Sequence, residues 1–145
     1  MQTNGDDIPE LGRDECLALT RSVKVGRVVY TRRALPAIQP VAFALDANGD
    51  VTVFTAPDSE LAAAVRDAIV AFEVDGSGPA GTGWSVTIIG RAGTPPESSD
   101  HAGPWPAGSR ARPVRGSVRT FRIGNRMMTG RRFALHAPEH GGRAA

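Results

Sequence analysis

The chain has 145 residues, enough for one domain with a real core, and 41% hydrophobic with 22% charged residues is a globular balance, not a disordered or fibrous one. Its single cysteine, Cys16, excludes a disulfide framework and a cysteine-built zinc site. No apolar run approaches the length of a membrane span and the opening residues are polar and acidic, so neither a span nor a secretory leader is expected, and a cytoplasmic address follows as the expectation. Charge is unevenly spread: residues 1–72 carry seven basic and ten acidic groups, residues 73–145 ten and five. Eight arginines and no acid lie between Arg110 and Arg132, a stripe suited to phosphate. Arginine outnumbers lysine 16 to 1 throughout, however, so the stripe also fits a general compositional bias, and nucleic acid ranks below a phosphorylated cofactor as its partner.

Residues 1–10 read as a flexible polar arm, 11–135 as the domain and 136–145 as a disordered tail. Leu11 to Thr20 is expected to be a short helix, with Asp14 and Glu15 near its start. The period then changes to two. Gly26–Thr31 and Ala37–Leu45 read as strands, and Val41, Phe43 and Leu45 share a face. Asp46-Ala47-Asn48-Gly49-Asp50 is turn chemistry, with Val51–Ala56 as the returning strand. Ser59 to Ala68 is expected to be a helix whose Leu61, Ala64, Val65 and Ala68 face inward. Strands follow at Val70–Asp75, Trp84–Ala92 and Val118–Ile123. The Pro, Gly and Ser-rich 93–116 leaves room for one helical turn near Glu97. Beyond Gly124-Asn125 the chain runs on through Arg126–Phe133.

Six strands joined by short connections, with one helix before them and one between the third and fourth, predict a mainly β fold. The expected form is a six-stranded antiparallel split β-barrel with short flanking helices; a sandwich is the competitor. Pro40 inside the second strand requires an edge, a bulge or a break in the ladder.

Two apparent motifs dissolve in context. Gly76-Ser77-Gly78-Pro79-Ala80-Gly81 spells a dinucleotide fingerprint, but Pro79 interrupts it and a strand follows where a helix must, so it reads as a hairpin loop. His136 and His140 have helix-face spacing, but Pro138 separates them and His101 lies in another loop, so no metal site is expected. No nucleophile, base and orienting group recur together, and no catalytic side chain is assigned. Cys16 reads as a packing residue.

Taken in order, Glu15-Cys16, Val25-Gly26-Arg27-Val28, Pro40-Val41, Val53-Phe54-Thr55-Ala56, Val70–Asp75, Gly83-Trp84-Ser85-Val86, Gly90-Arg91-Ala92 and Thr129-Gly130-Arg131-Arg132 carry a likeness. The chain resembles the pyridoxamine 5′-phosphate oxidase-like family of FMN-binding split barrels, in its small flavin-nucleotide-binding branch, from about Leu11 to Phe133. The resemblance implies a homodimer binding FMN between its subunits, and a small flavin-dependent oxidoreductase of unknown substrate. It implies that Phe54, Thr55 and Ala56 run along the isoalloxazine and that Ser59 and Glu60 approach the phosphate. Pro40, Val41, Trp84 and Ser85 then line the same pocket, partly from the partner subunit, with Arg131 nearby. Chemistry would be the flavin's own, positioned by the protein.

One departure bears on the cofactor. Relatives carry Lys or Arg after the Phe-Thr strand, whereas this chain has Asp58 and Glu60, and it has Ile38 and Phe43 where oxidase relatives place basic residues. Backbone N–H groups at the start of the helix near Ser59 could hold the phosphate instead, or Arg27, Arg91 or Arg131 could reach it from neighbouring strands. The alternatives are a dimeric barrel using a deazaflavin coenzyme or another ligand, or one with no cofactor.

Overall fold

The computed structural model describes residues 10–56, 59–93 and 119–135. The expectations for residues 1–9 of the arm, the tail, Asp58, the turn near Glu97 and all three histidines lie outside these residues. In chain order come α1 (Arg13–Arg21), β1 (Val25–Arg32), β2 (Leu35–Leu45), β3 (Val51–Thr55), α2 (Glu60–Ala64), β4 (Ile69–Ser77), β5 (Thr82–Gly93), β6 (Arg119–Ile123) and β7 (Met127–Ala134).

All strand pairs are antiparallel, and the order β4-β1-β2-β3-β6-β5 closes through a β4–β5 pairing into a six-stranded ring. The sandwich is therefore set aside. A seventh strand, β7, grows from Arg126–Phe133, a stretch the sequence pattern leaves without an element. Strand β5 is long enough to serve two neighbours on one edge. Thr82–Ile89 pairs with β7, and only Ala92 and Gly93 pair with β6. The ring is thus closed thinly at that seam.

Alternation fixes what faces inward. Val28, Val53, Phe72, Val74, Val86, Ile88 and Ile123 fill the barrel, with the Phe43 and Phe72 rings edge-to-face at 4.8 Å. Pro40 sits where the sequence requires. Strand β2 pairs with β1 over Leu35–Ala42 but with β3 only from Ala42 on, so the other edge at Pro40 carries no ladder. Gly76 and Ser77 end β4, and residues 78–81 form the β4–β5 connection with a single 3-10 turn, as the hairpin reading predicts.

Helix α2 is shorter than the Ser59–Ala68 expected. Ser59 is its N-cap, the Oγ accepting from the Ala62 N–H at 3.2 Å, and the chain leaves helical geometry by Asp67, whose φ is +56°. Leu61 and Val65 are still fully buried, so the inward face is as expected. Helix α1 seals the other end of the barrel against β7. A Cβ on Gly130 would stand 2.5 Å from Cys16 Sγ, so only glycine lets the helix approach this closely. The Leu11 N–H donates to the Gly130 carbonyl at 2.9 Å, and Arg132 pairs with Glu15 at 2.5 Å.

Candidate functional site

The β2–β3 turn begins with an aspartate that organises its own backbone: Asp46 Oδ1 accepts from the Asn48 and Asp50 N–H groups, both at 2.9 Å. Gly49 takes the positive φ of +83° the turn needs. Arg122 of β6 reaches both Asp46 and Asp50, and the Asn125 N–H donates to Asp50 Oδ1 at 2.8 Å. Every carboxylate oxygen here has a donor. This cluster holds two turns together and leaves nothing for a ligand.

A second arginine lies between two carboxylates on the outer face of the barrel. Strand register sets Arg27 opposite Glu73, and alternation puts Asp75 on the same face. Arg27 Nη1 lies 2.9 Å from Asp75 Oδ2 but 3.7 Å from Glu73 Oε1, too far for a hydrogen bond. Glu73 Oε1 is buried and has no hydrogen-bond partner. Burial first, then the adjacent Asp75, pushes the Glu73 carboxyl up to about 7, against the opposing pull of Arg27. Glu73 and Asp75 border a cleft of about 490 Å³ whose walls include Ser77, Ser85, Phe133 and Leu135. That size falls in the range of about 300–1,000 Å³ typical of small-molecule sites.

The residues expected at the site divide between two places. Pro40 faces outward opposite Arg27, Ser85 opposite Asp75, and Arg131 opposite Ser85, so these three share the outer face with the cleft. Phe54, Thr55, Ala56, Ser59 and Glu60 gather instead at the corner where β3 runs into α2. There Thr55 is buried, its Oγ1 donating to the Ala56 carbonyl at 3.2 Å. Val41 and Trp84 belong to neither surface. Both are buried, and the Trp84 indole covers Gly76, where a Cβ would stand 2.7 Å from the ring. The resemblance implies Trp84 in the pocket lining, whereas within one subunit its side chain is buried.

Two of the three arginines expected to supply positive charge are engaged within the subunit. Arg27 is engaged with Asp75, and Arg91 Nη1 donates to the Asp67 carbonyl at 2.7 Å. Arg32, at the end of β1, reaches Glu60 at 2.5 Å. It is displayed by a two-residue turn whose central residues, Arg33 and Ala34, both have positive φ, at 49° and 64°. Sequence reasoning missed this pair because Arg32 and Glu60 lie 28 positions apart, with no local signal of contact. Glu73 and Asp75 had one: acids two apart on a strand share a face.

Comparison with known proteins agrees with this architecture. The profile of the family described as pyridoxamine 5′-phosphate oxidase matches residues 12–104. A Mycobacterium tuberculosis protein of uncharacterised function is 44% identical over 92 residues, a match spanning 59% of this chain and 60% of that relative. The FAD binding protein from Mycobacterium smegmatis superposes with a TM-score of 0.67 at 30% identity, covering 87% of this chain and 98% of that one. A conserved protein of unknown function from Corynebacterium diphtheriae gives 0.69 at 28% identity, covering 90% of this chain and all (100%) of its own. With the barrel and a profile match over well more than half of its length in agreement, the chain belongs to the pyridoxamine 5′-phosphate oxidase family.

Proposed function

We propose that the protein binds a flavin nucleotide between two copies of itself and serves as a small flavin-dependent oxidoreductase. The observation that carries this reading is the likeness to the FAD binding protein of M. smegmatis, which extends over almost all of both chains. The residues present suit such a ligand. Glu73 Oε1 is an orphan acceptor beside a cleft of suitable size, and an isoalloxazine ring presents an N–H donor. Arg32 offsets Glu60 at the β3–α2 corner, so the sequence-level objection to a phosphate there loses its force. A bound flavin would supply hydride transfer at its own ring. The chain's residues supply position, charge and exclusion of water, and no protein acid or base is assigned to the reaction.

The dimer is proposed because the candidate residues lie on two separate surfaces of one subunit, and a second copy is the simplest means of uniting them. The outer face offers a contact. Ile38, Val29, Ala71, Ile89 and Met127 lie in one cross-strand row over five strands, with Ile38 65% and Met127 57% exposed. A continuous apolar row of this kind on a small barrel is typical of a covered surface.

Titration of the purified protein with FMN, FAD and riboflavin, read by flavin fluorescence, tests the cofactor, and a deazaflavin coenzyme run alongside tests the enzymatic alternative. Saturable binding of a flavin by a species of twice 15.2 kDa in light scattering is expected. A monomer that leaves every flavin unquenched overturns the reading in favour of a barrel without this cofactor.

A further inference from the structure

Most arginines among the described residues are committed. Arg27, Arg32, Arg122 and Arg132 face carboxylates, and Arg13, Arg21 and Arg91 donate to backbone carbonyls. Arg33, Arg66, Arg119, Arg126 and Arg131 do neither, and of these Arg66 and Arg119 together border one small concavity. Arg66 follows α2, Arg119 opens β6, and the walls between them come from Val65, Gly93, Thr120 and Phe121. Two like charges sharing a hollow repel each other, and among the described residues no carboxylate lines this one. Cations near the end of a longer helix would be explained by its dipole. Helix α2 has five residues, and Arg119 belongs to a strand, so that account does not serve.

We infer that the Arg66–Arg119 cleft binds a phosphoryl group. Its charge is the first reason. Two guanidinium groups match the charge of roughly −1.5 to −2 carried by a phosphate ester, whereas a carboxylate would leave half of it unmatched. Its size is the second. A volume of about 50 Å³ has room for a few water-sized oxygens, at about 10–15 Å³ each, and none for an aromatic ring. Its lining is the third: the Thr120 hydroxyl is a further donor, and Val65 and Phe121 give the charges a less polar wall.

Location connects this cleft to the proposed cofactor. Register places Arg119 opposite Thr55 and Thr120 opposite Phe54, so the cleft adjoins the same strand end that carries the β3–α2 corner. It is distinct from the Arg32–Glu60 pair, which lies on the β1 side of α2. As a cofactor subsite the inference rests on the flavin reading; as a phosphoryl site it does not.

Inorganic pyrophosphate and phosphate, titrated by calorimetry, probe the cleft directly, while FMN, FAD and riboflavin probe it as part of a cofactor site. The variants are Arg66→Gln, Arg119→Gln and their double, with Lys24→Gln as a control for net charge and thermal unfolding as a check of fold. The double variant is expected to lose at least about tenfold in affinity for pyrophosphate and for the flavin nucleotides, with riboflavin unchanged. Lys24→Gln is expected to match the wild type. A folded double variant that keeps wild-type affinity for pyrophosphate and nucleotides overturns the inference. If the wild type binds riboflavin and FMN equally and ignores pyrophosphate, the inference falls and the flavin reading stands. If pyrophosphate binds through both arginines and no flavin binds, the inference stands and the flavin reading falls.

Discussion

Arg122 and Arg27 each stand between two carboxylates, and the two clusters differ in what they leave over. Around Arg122, the turn backbone, Asn125 and the guanidinium satisfy all the oxygens of Asp46 and Asp50. Around Arg27, the single cation reaches Asp75 and falls short of Glu73, whose buried oxygen has no donor. The first cluster joins loops distant in sequence, and the second sits on a strand face whose backbone is paired in the ladder. Ion-pair counting would rank them as equals. Accounting for each oxygen separates a structural clasp from a place prepared for something else.

Mutation of the clasp carries the largest expected effect. Asp50→Ala removes the acceptor of the Asn125 N–H and one partner of Arg122, at a cost of about 2–3 kcal/mol. Thermal unfolding should fall by roughly 5–10 °C, with Asp50→Asn recovering part of the loss through its remaining oxygen. An Asp50→Ala protein that melts with the wild type would erase the distinction between the clusters.

The outer cluster should show itself through pH more than through melting temperature. Glu73 is raised from 4.5 to about 7 in the folded protein, so the native state holds its proton more tightly than the unfolded chain. Its contribution to stability is therefore fully present below about pH 4.5 and lost as pH rises to about 7, flat beyond that. Because the side chain is partly exposed, about 1 kcal/mol is the expected size. Glu73→Gln should flatten that slope, which denaturant titrations at pH 5 and pH 8 would read. Arg27→Ala should steepen it, since nothing then opposes the two acids. A slope unchanged in both variants would mean that Glu73 titrates normally.

The smallest effect belongs to the exposed pair of Arg32 and Glu60, with side chains 40% and 63% accessible. Arg32→Ala should cost no more than about 0.5 kcal/mol. Binding, not stability, is where this pair would register. Glu60→Gln frees Arg32 and should tighten FMN severalfold while leaving riboflavin alone. Equal gains for both ligands would place the phosphate away from this corner.

Much of the barrel was legible because its signals are local. The Asp46–Asp50 turn, the alternation of Val70, Phe72 and Val74, and the proline inside the false dinucleotide motif all act within a few residues. Strand β7 was not legible, since in Met127–Ala134 only Gly130 is fully buried and alternation disappears. The length of α2 depended on the reversal of φ at Asp67, which no residue type there announces. At the site, the sequence named the β3–α2 corner and the outward positions of Pro40, Ser85 and Arg131. It missed what brings distant segments together: the pairing of Arg32 with Glu60 and the burial of Trp84.

The close approach of α1 to Gly130 also gives the molecule an internal clock. Cys16 is its only thiol, 1% exposed, and burial, with Glu15 adding its charge, pushes that thiol above its ordinary range. A thiol reagent can therefore reach sulfur only when the helix lifts from β7, and the labelling rate becomes a count of those openings. Gly130→Ala, which forces the seam apart by the width of a methyl group, should make the clock run faster with no change to either candidate surface. Ligand that braces the barrel should slow it, and ligand that binds only at the surface should leave its rate as it was.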